Sequence, residues 1–378
     1  MSALAVYPFV ILSALSFYNS SNSEHGKESL IILIAFSVIP IIYLSELLFT
    51  NNVPYVWWVV QRKLGLIFIP LGFFMLNHAG VQLNYKRFIN VLVTVTSLMV
   101  VYCCGSIFYS GLNPEHVNSG GTAFAFRTAV SQLVHLHPTY FGLVIAYSAL
   151  VLLNRIYTSV YKSWLFVFRL IVTLMLVTFL IVLAARMVFI SFGVAALVLT
   201  IMRMNKWSHR LTMILAFIGL TAMSVQFVPT MHERFVEIFE SESNSTNVRE
   251  MIYSCTIEIV KDNWITGVSV EKLQFYLNVC YSQFALDGNT VVPNYNTHNE
   301  YLNLLCGKGV LGLASFLLLL TLLFKKALSQ PDFLSFCLLF SLACLAENLL
   351  ERQIGVFFFC IIGGLYGVYL PRKVEKIE

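Results

Sequence analysis

Charge is what this chain has least of. Only 11% of its 378 residues are Asp, Glu, Lys or Arg, against 58% hydrophobic and 14% aromatic. A soluble domain carries about 25% charged residues, so a surface lying mostly in water is excluded. Metal-site spacing is missing as well. The eight cysteines form no Cys-x-x-Cys and no His/Cys cluster, so a structural zinc is not expected. The apolar runs are continuous rather than alternating, which excludes a porin-type barrel. Met1 to Tyr18 has neither a basic start nor a convincing small-residue cleavage site, so no cleavable signal sequence is expected there.

What is present is a series of apolar stretches of about 16 to 23 residues, the length of membrane-spanning helices. They fall near 3–18, 30–48, 64–80, 88–109, 135–153, 164–183, 187–202, 211–228, 301–324, 333–349 and 354–370. The expected fold is all-α: a polytopic integral membrane protein of about eleven or twelve transmembrane helices with one large outer loop. Basic residues in short loops mark the inner face. Lys86, Arg87, Arg155, Lys162, Arg203, Lys206, Arg210, Lys325, Lys326 and the tail Arg372, Lys373 and Lys376 alternate with successive spans and define it. Segments 110–134, 184–187, 229–300 and 350–353 then face outward, and so does the N-terminus. Pro54 to Lys63, with Trp57 and Trp58, reads either as an interfacial helix or as part of another span. The chain divides into helices over 1–228, a loop domain over 229–300, and helices with a short inner tail over 301–378.

The loop is acidic. From Pro229 to Thr297 there are four basic residues, Arg234, Arg249, Lys261 and Lys272, against nine acids. That balance argues against general attraction to polyanions, nucleic acid included, so a phosphate site here needs individually placed arginines. The spacing Ile252, Cys255, Ile259 predicts an amphipathic helix on the membrane surface. Asn263, Gly267 and Pro293 then break the chain into irregular structure. Strand content should be negligible. Cys255 and Cys280 share this loop and stand where an oxidising compartment would let them pair; spacing alone fixes no geometry. The other six cysteines lie in apolar runs, as ordinary packing residues.

Thr297-His298-Asn299-Glu300-Tyr301 stands at the mouth of the apolar run from Leu302 to Phe324. A histidine there moves protons near neutral pH where water and a lipid-borne substrate meet; the plainer alternative is a capping residue. On a continuous helix Gly309 and Gly312 fall about 20° and 40° to either side of its azimuth. They form a small-residue stripe that lets a neighbouring helix approach and fixes the helix carrying His298. Arg186 is the only ionisable residue between Leu170 and Met202, at an outer turn, where a charge either holds a partner or ligand or snorkels to the headgroups. Arg249 opens the amphipathic helix. Guanidinium forks suit phosphate oxygens and keep their charge. His135 and His137 precede Pro138-Thr139-Tyr140 at another outer end. Arg352 sits beside Glu347 and Glu351, where a structural Glu–Arg pairing is expected. Lys308, roughly 15 Å below His298 at 1.5 Å per residue, implies a protein-lined or wet cavity.

At these residues the chain resembles the O-antigen ligase family, part of the Wzy C-terminal superfamily of polysaccharide ligases and polymerases. The family signature, His then Asn, Ser or Gln, nine residues, then Gly-x-x-Gly, is matched by His298, Asn299, Gly309 and Gly312. Ala184-Ala185-Arg186 looks like the family's small-residue–Arg turn. Arg249 with Asn263-Trp264-Ile265-Thr266-Gly267-Val268-Ser269 looks like its Arg…Asn-Pro-(Leu/Ile)-x-Gly-x-Gly region. Trp264 replaces the usual proline, Ser269 the second glycine, and Lys308 stands where an acid is common. Similarity covers about residues 120 to 365. The tracts 347–353 and 137–140 look like Bacteroidetes members.

The resemblance implies an inner-membrane glycosyltransferase with its active site facing the periplasm. It would move a glycan from undecaprenyl diphosphate to a sugar hydroxyl of lipid A–core, needing neither metal nor nucleotide. His298 would be the base and Arg186 and Arg249 the diphosphate holders. Asn299, Arg352, His137 and Tyr140 would line the substrate. A polymerase or a protein O-oligosaccharyltransferase shares the signature and differs in acceptor. A lipid-linked sugar transporter is the more distant reading; it does not explain a His-Asn pair with two arginines at outer positions, and no clear inverted repeat is seen.

Overall fold

The computed structural model describes residues 2–18, 27–159, 163–204, 207–227, 232, 244–283 and 294–370. Helices form because long apolar runs satisfy their backbone groups internally, as a bilayer requires. In chain order they are α1 Ser2–Tyr18, α2 Lys27–Ser45, α3 Val53–Lys63, α4 Gly65–His78, α5 Tyr85–Ser110, α6 Pro114–Val134, α7 Pro138–Tyr157 and α8 Trp164–Val182. There follow α9 Arg186–Arg203, α10 Trp207–Phe227, α11 Asn244–Asn263, α12 Val270–Gln283, α13 Glu300–Ala327, α14 Pro331–Ala343 and α15 Gln353–Gly363. No strand occurs among the described residues, and seven of the helical stretches there are long and apolar enough to cross a membrane. Of the two readings of Pro54 to Lys63, the structure favours part of a span, since α3 and α4 run on through Leu64 as one stretch from Val53 to His78 that is long and apolar enough to cross a membrane.

The chain packs as two compact units. The first comprises residues 1–83, 244–333 and 344–378; the second comprises 84–243 and 334–343. In the first, α4 is a hub against which α1, α2 and α15 lie. Phe9 and Phe73 meet with ring centroids 5.1 Å apart, and a side chain at Gly72 would overlap Phe9. In the second, α7 packs on α5, α8 and α9. Its apolar window is 78% buried against 22% for α5, so α7 is interior to this unit and α5 is largely exposed.

One expectation needs correction. The segment after Asn263 is irregular only as far as Ser269; α12 then follows, and the break expected at Pro293 lies outside the described residues. Leu273, Leu277, Cys280 and Tyr281 recur at helical spacing and bury one face of α12. The Ile252–Cys255–Ile259 face of α11 packs on α12 and on Cys306 of α13. Two amphipathic helices side by side cover each other's stripes, a solution invisible while the second was read as loop. Cys255 and Cys280 are joined in a disulfide across this hairpin, with Cα atoms 5.7 Å apart. The expected outer segment 110–134 is also largely helical, as α6 with a break at Gly121.

Candidate active site

His298 does not ride on a helix. It precedes Asn299, the N-cap of α13, whose side-chain oxygen accepts from Leu302 N–H. Such a cap satisfies one of the free amides of the first turn. His298 itself has φ +45°, the left-handed region that a non-glycine residue enters only when its surroundings hold it there. Those surroundings are polar and local. Its N–H donates to Asn296 Oδ1 at 3.0 Å. Buried Thr297 donates to the Asn299 carbonyl at 3.1 Å and accepts from Asn348 Nδ2 at 3.0 Å. Glu300 N–H donates to the Cys344 carbonyl, and the Glu300 carboxylate accepts from Leu350 N–H, both at 2.9 Å. Asn296 Nδ2 donates to Glu351 at 3.2 Å. Upstream, burial pushes the Tyr281 phenol up from its ordinary range, and it stays protonated to donate to the Tyr295 carbonyl. Segments 295–300 and 344–351 thus clasp one another, with His298 at the join.

The clasp gives His298 a companion. Glu347 Oε2 lies 3.7 Å from its Nδ1, both side chains being partly exposed. That separation suits attraction to an imidazolium and is longer than a hydrogen bond. A carboxylate behind Nδ1 favours the tautomer that leaves Nε2 free to take a proton. Sequence reasoning gave Glu347 to Arg352. Glu347 also faces the histidine, and Glu351 accepts from Asn296. Forty-nine residues separate Glu347 from His298 in the chain. The one signal available was the polar tract Glu347-Asn348 closing an apolar run.

Gly309 and Gly312 act otherwise than a stripe on a continuous helix. At Gly309 the backbone takes φ +63° and ψ −161° and α13 breaks. A side chain there would overlap the carbonyl of Ile265. Through the gap passes the strip from Trp264 to Val268, not a neighbouring helix. Val310 N–H donates to the Trp264 carbonyl at 2.9 Å and Val268 N–H to the Cys306 carbonyl at 2.8 Å. Gly267, also left-handed, comes so near that an added Cβ would sit 2.6 Å from the backbone of Gly307. Ser269, where the resemblance expects a second glycine, takes φ +71°, the left-handed region that glycine favours. Gly312 lies one turn beyond the break, where a side chain would overlap Lys308 on its own helix.

Lys308, buried, pairs with Glu46 at 2.6 Å and stands 4.0 Å over the Tyr43 ring. Of the two surroundings expected for Lys308, the protein-lined one is found, with Glu46 as its partner, where α2 packs against α13. The same Glu46 carboxylate accepts from Val270 N–H, the first amide of α12. Arg249, exposed, lies early in α11. Arg352, also exposed, is the N-cap residue of α15. Arg186, His137 and Tyr140 belong to the second unit. Arg186 is partly buried and opens α9 after left-handed Ala184, φ +50°, and its N–H donates to the Ala184 carbonyl. His137 caps α7, its Nδ1 accepting from Thr139 N–H at 3.4 Å, and its ring meets that of buried Tyr140 edge-on at 6.2 Å.

The helices and the clasp together define a multi-pass α-helical membrane protein with a histidine–carboxylate pair at the mouth of one span. Residues 170–317 of this chain match the model of the O-antigen ligase family. The matched stretch contains Arg186, Arg249, His298, Gly309 and Gly312, and stops short of Glu347. No curated protein matches the chain.

Proposed function

We propose that the protein is an O-antigen ligase, moving a glycan from undecaprenyl diphosphate to a sugar hydroxyl of lipid A–core at the periplasmic face of the inner membrane. The observation that carries this reading is His298 held in a left-handed turn with Glu347 behind Nδ1, inside the segment that matches the ligase family. In the proposed step Nε2 of His298 accepts the proton of the acceptor hydroxyl. The hydroxyl oxygen bonds to the anomeric carbon while the carbon–oxygen bond to the diphosphate breaks. Undecaprenyl diphosphate leaves with the electron pair, and the anomeric configuration inverts. Arg186 and Arg249 are assigned to the diphosphate on their chemistry and on the family match that spans both. The Cys255–Cys280 disulfide supports an outward hairpin, since such bonds persist in oxidising compartments.

The test is reconstitution with undecaprenyl-diphosphate-linked glycan, with and without lipid A–core. Wild-type protein is expected to label lipid A–core with an inverted linkage readable by NMR. His298→Ala is expected to lower the rate by about 10²- to 10⁴-fold, the range of a lost general base. Glu347→Gln, as a positioning change, is expected to lower kcat by roughly ten- to a hundredfold with little change in either KM. Glycan extension without lipid A–core would replace this reading by a polymerase. Full turnover of His298→Ala would end it.

A further inference from the structure

A cavity of about 230 Å³ opens in the first unit, among α3, the start of α12 and the strip that leads to His298. Its bulk is that of seven or eight waters at ~30 Å³ each, the scale of a monosaccharide. Trp58, Tyr55, Asn296, Asn303, Gln274 and Glu351 are among its lining. That composition suits a sugar ring: aromatic faces for its C–H surface, amides and a carboxylate for its hydroxyls. Two details turn a lined space into a built site. Asn303 is 3% exposed, yet its Oδ1 has no hydrogen-bond partner among the described residues. A buried acceptor left so costs free energy unless a ligand supplies the donor. Arg62 is stacked 3.7 Å from the Trp58 ring and donates to the Glu351 carbonyl at 2.8 Å, which holds one wall rigid. Trp57, the neighbouring indole on α3, is not part of the lining, so an interfacial tryptophan belt does not account for both.

We propose that this cavity is a glycan subsite, holding one sugar ring of a saccharide substrate beside the reacting hydroxyl. The placement rests on the ligase reading and on Asn296, whose side chain lines the cavity and accepts from the His298 N–H. Occupancy of the cavity therefore bears directly on the turn that aims the histidine. Residues 43–63, which supply much of the wall, lie outside the stretch that matches the family. Sugar choice is thereby set by a part of the chain free to differ from the shared chemistry.

The test uses the full chain in nanodiscs, with undecaprenyl-diphosphate glycan and lipid A–core as the two saccharide substrates. Trp58→Leu changes a half-exposed side chain, and Asn303→Ala removes an unpartnered acceptor, so neither is expected to lower the melting temperature. KM for one substrate should rise roughly tenfold in each variant, with kcat within about twofold and the other KM unchanged. The substrate whose KM rises is the source of the ring. Unchanged KM for both overturns the subsite. If wild-type protein transfers nothing to lipid A–core, the ligase reading fails separately. The subsite is then tested by tryptophan fluorescence with the oligosaccharides freed by mild acid from each substrate. Saturable quenching that Trp58→Leu abolishes supports the subsite, and absence of saturable quenching removes it.

Discussion

Two regions hold α13 in place, and they do so by opposite means. At its mouth, Thr297, Asn299, Glu300, Glu347 and Asn348 build the clasp from side-chain polar groups. Nine residues deeper, at Gly309, the strip Trp264–Val268 is locked to the helix through backbone groups, and the side-chain contribution is the absence of one. The difference predicts how each region fails. A clasp of separate hydrogen bonds loses stability piecemeal, about 0.5–1.5 kcal/mol per bond, whereas a backbone crossing admits the strip or excludes it.

The sharpest break of that comparison is Gly309→Ala. It adds a Cβ onto the Ile265 carbonyl in a conformation reserved for glycine, so a loss above about 4 kcal/mol and failure to yield monodisperse protein in detergent are expected. A folded Gly309→Ala protein with an unchanged melting temperature would mean the crossing is not needed. Next comes Thr297→Val, which keeps shape but takes a partner from buried Asn348; about 1–3 kcal/mol should be lost in thermal unfolding. The smallest effect belongs to Asn299→Ala, about 1 kcal/mol for a lost N-cap. Were Asn299→Ala to match Gly309→Ala, the clasp would be a single cooperative unit and the contrast would collapse.

The two regions also differ in how far they could be read from the amino acids. The spans were legible because an apolar run of helical length leaves the backbone little alternative in a bilayer. His298, Asn299 and the two glycines stood out by type and spacing. Their geometry did not, because the azimuth argument assumed an unbroken helix and Gly309 breaks it. The strip that fills the break lies some forty residues earlier, and nothing local joins the two. Glu347 was hidden in the same way, whereas Cys255 and Cys280 were legible as possible partners and lacked only the geometry, which the missed α12 supplies. Ser269 shows the reverse case. Its left-handed backbone agrees with the glycine that the family pattern expects, although the residue does not.

The Lys308–Glu46 pair has a consequence for how the chain comes together. A lone lysine or glutamate inside a bilayer is costly, and the two partners enter from opposite ends of the polypeptide. The partner of Glu46 comes from α13, so a chain cut short before Lys308 lacks this pair. A molecule in which α13 is missing or mispaired would leave Glu46 without this lysine, so the placing of α13 and the neutralising of that one carboxylate are a single event.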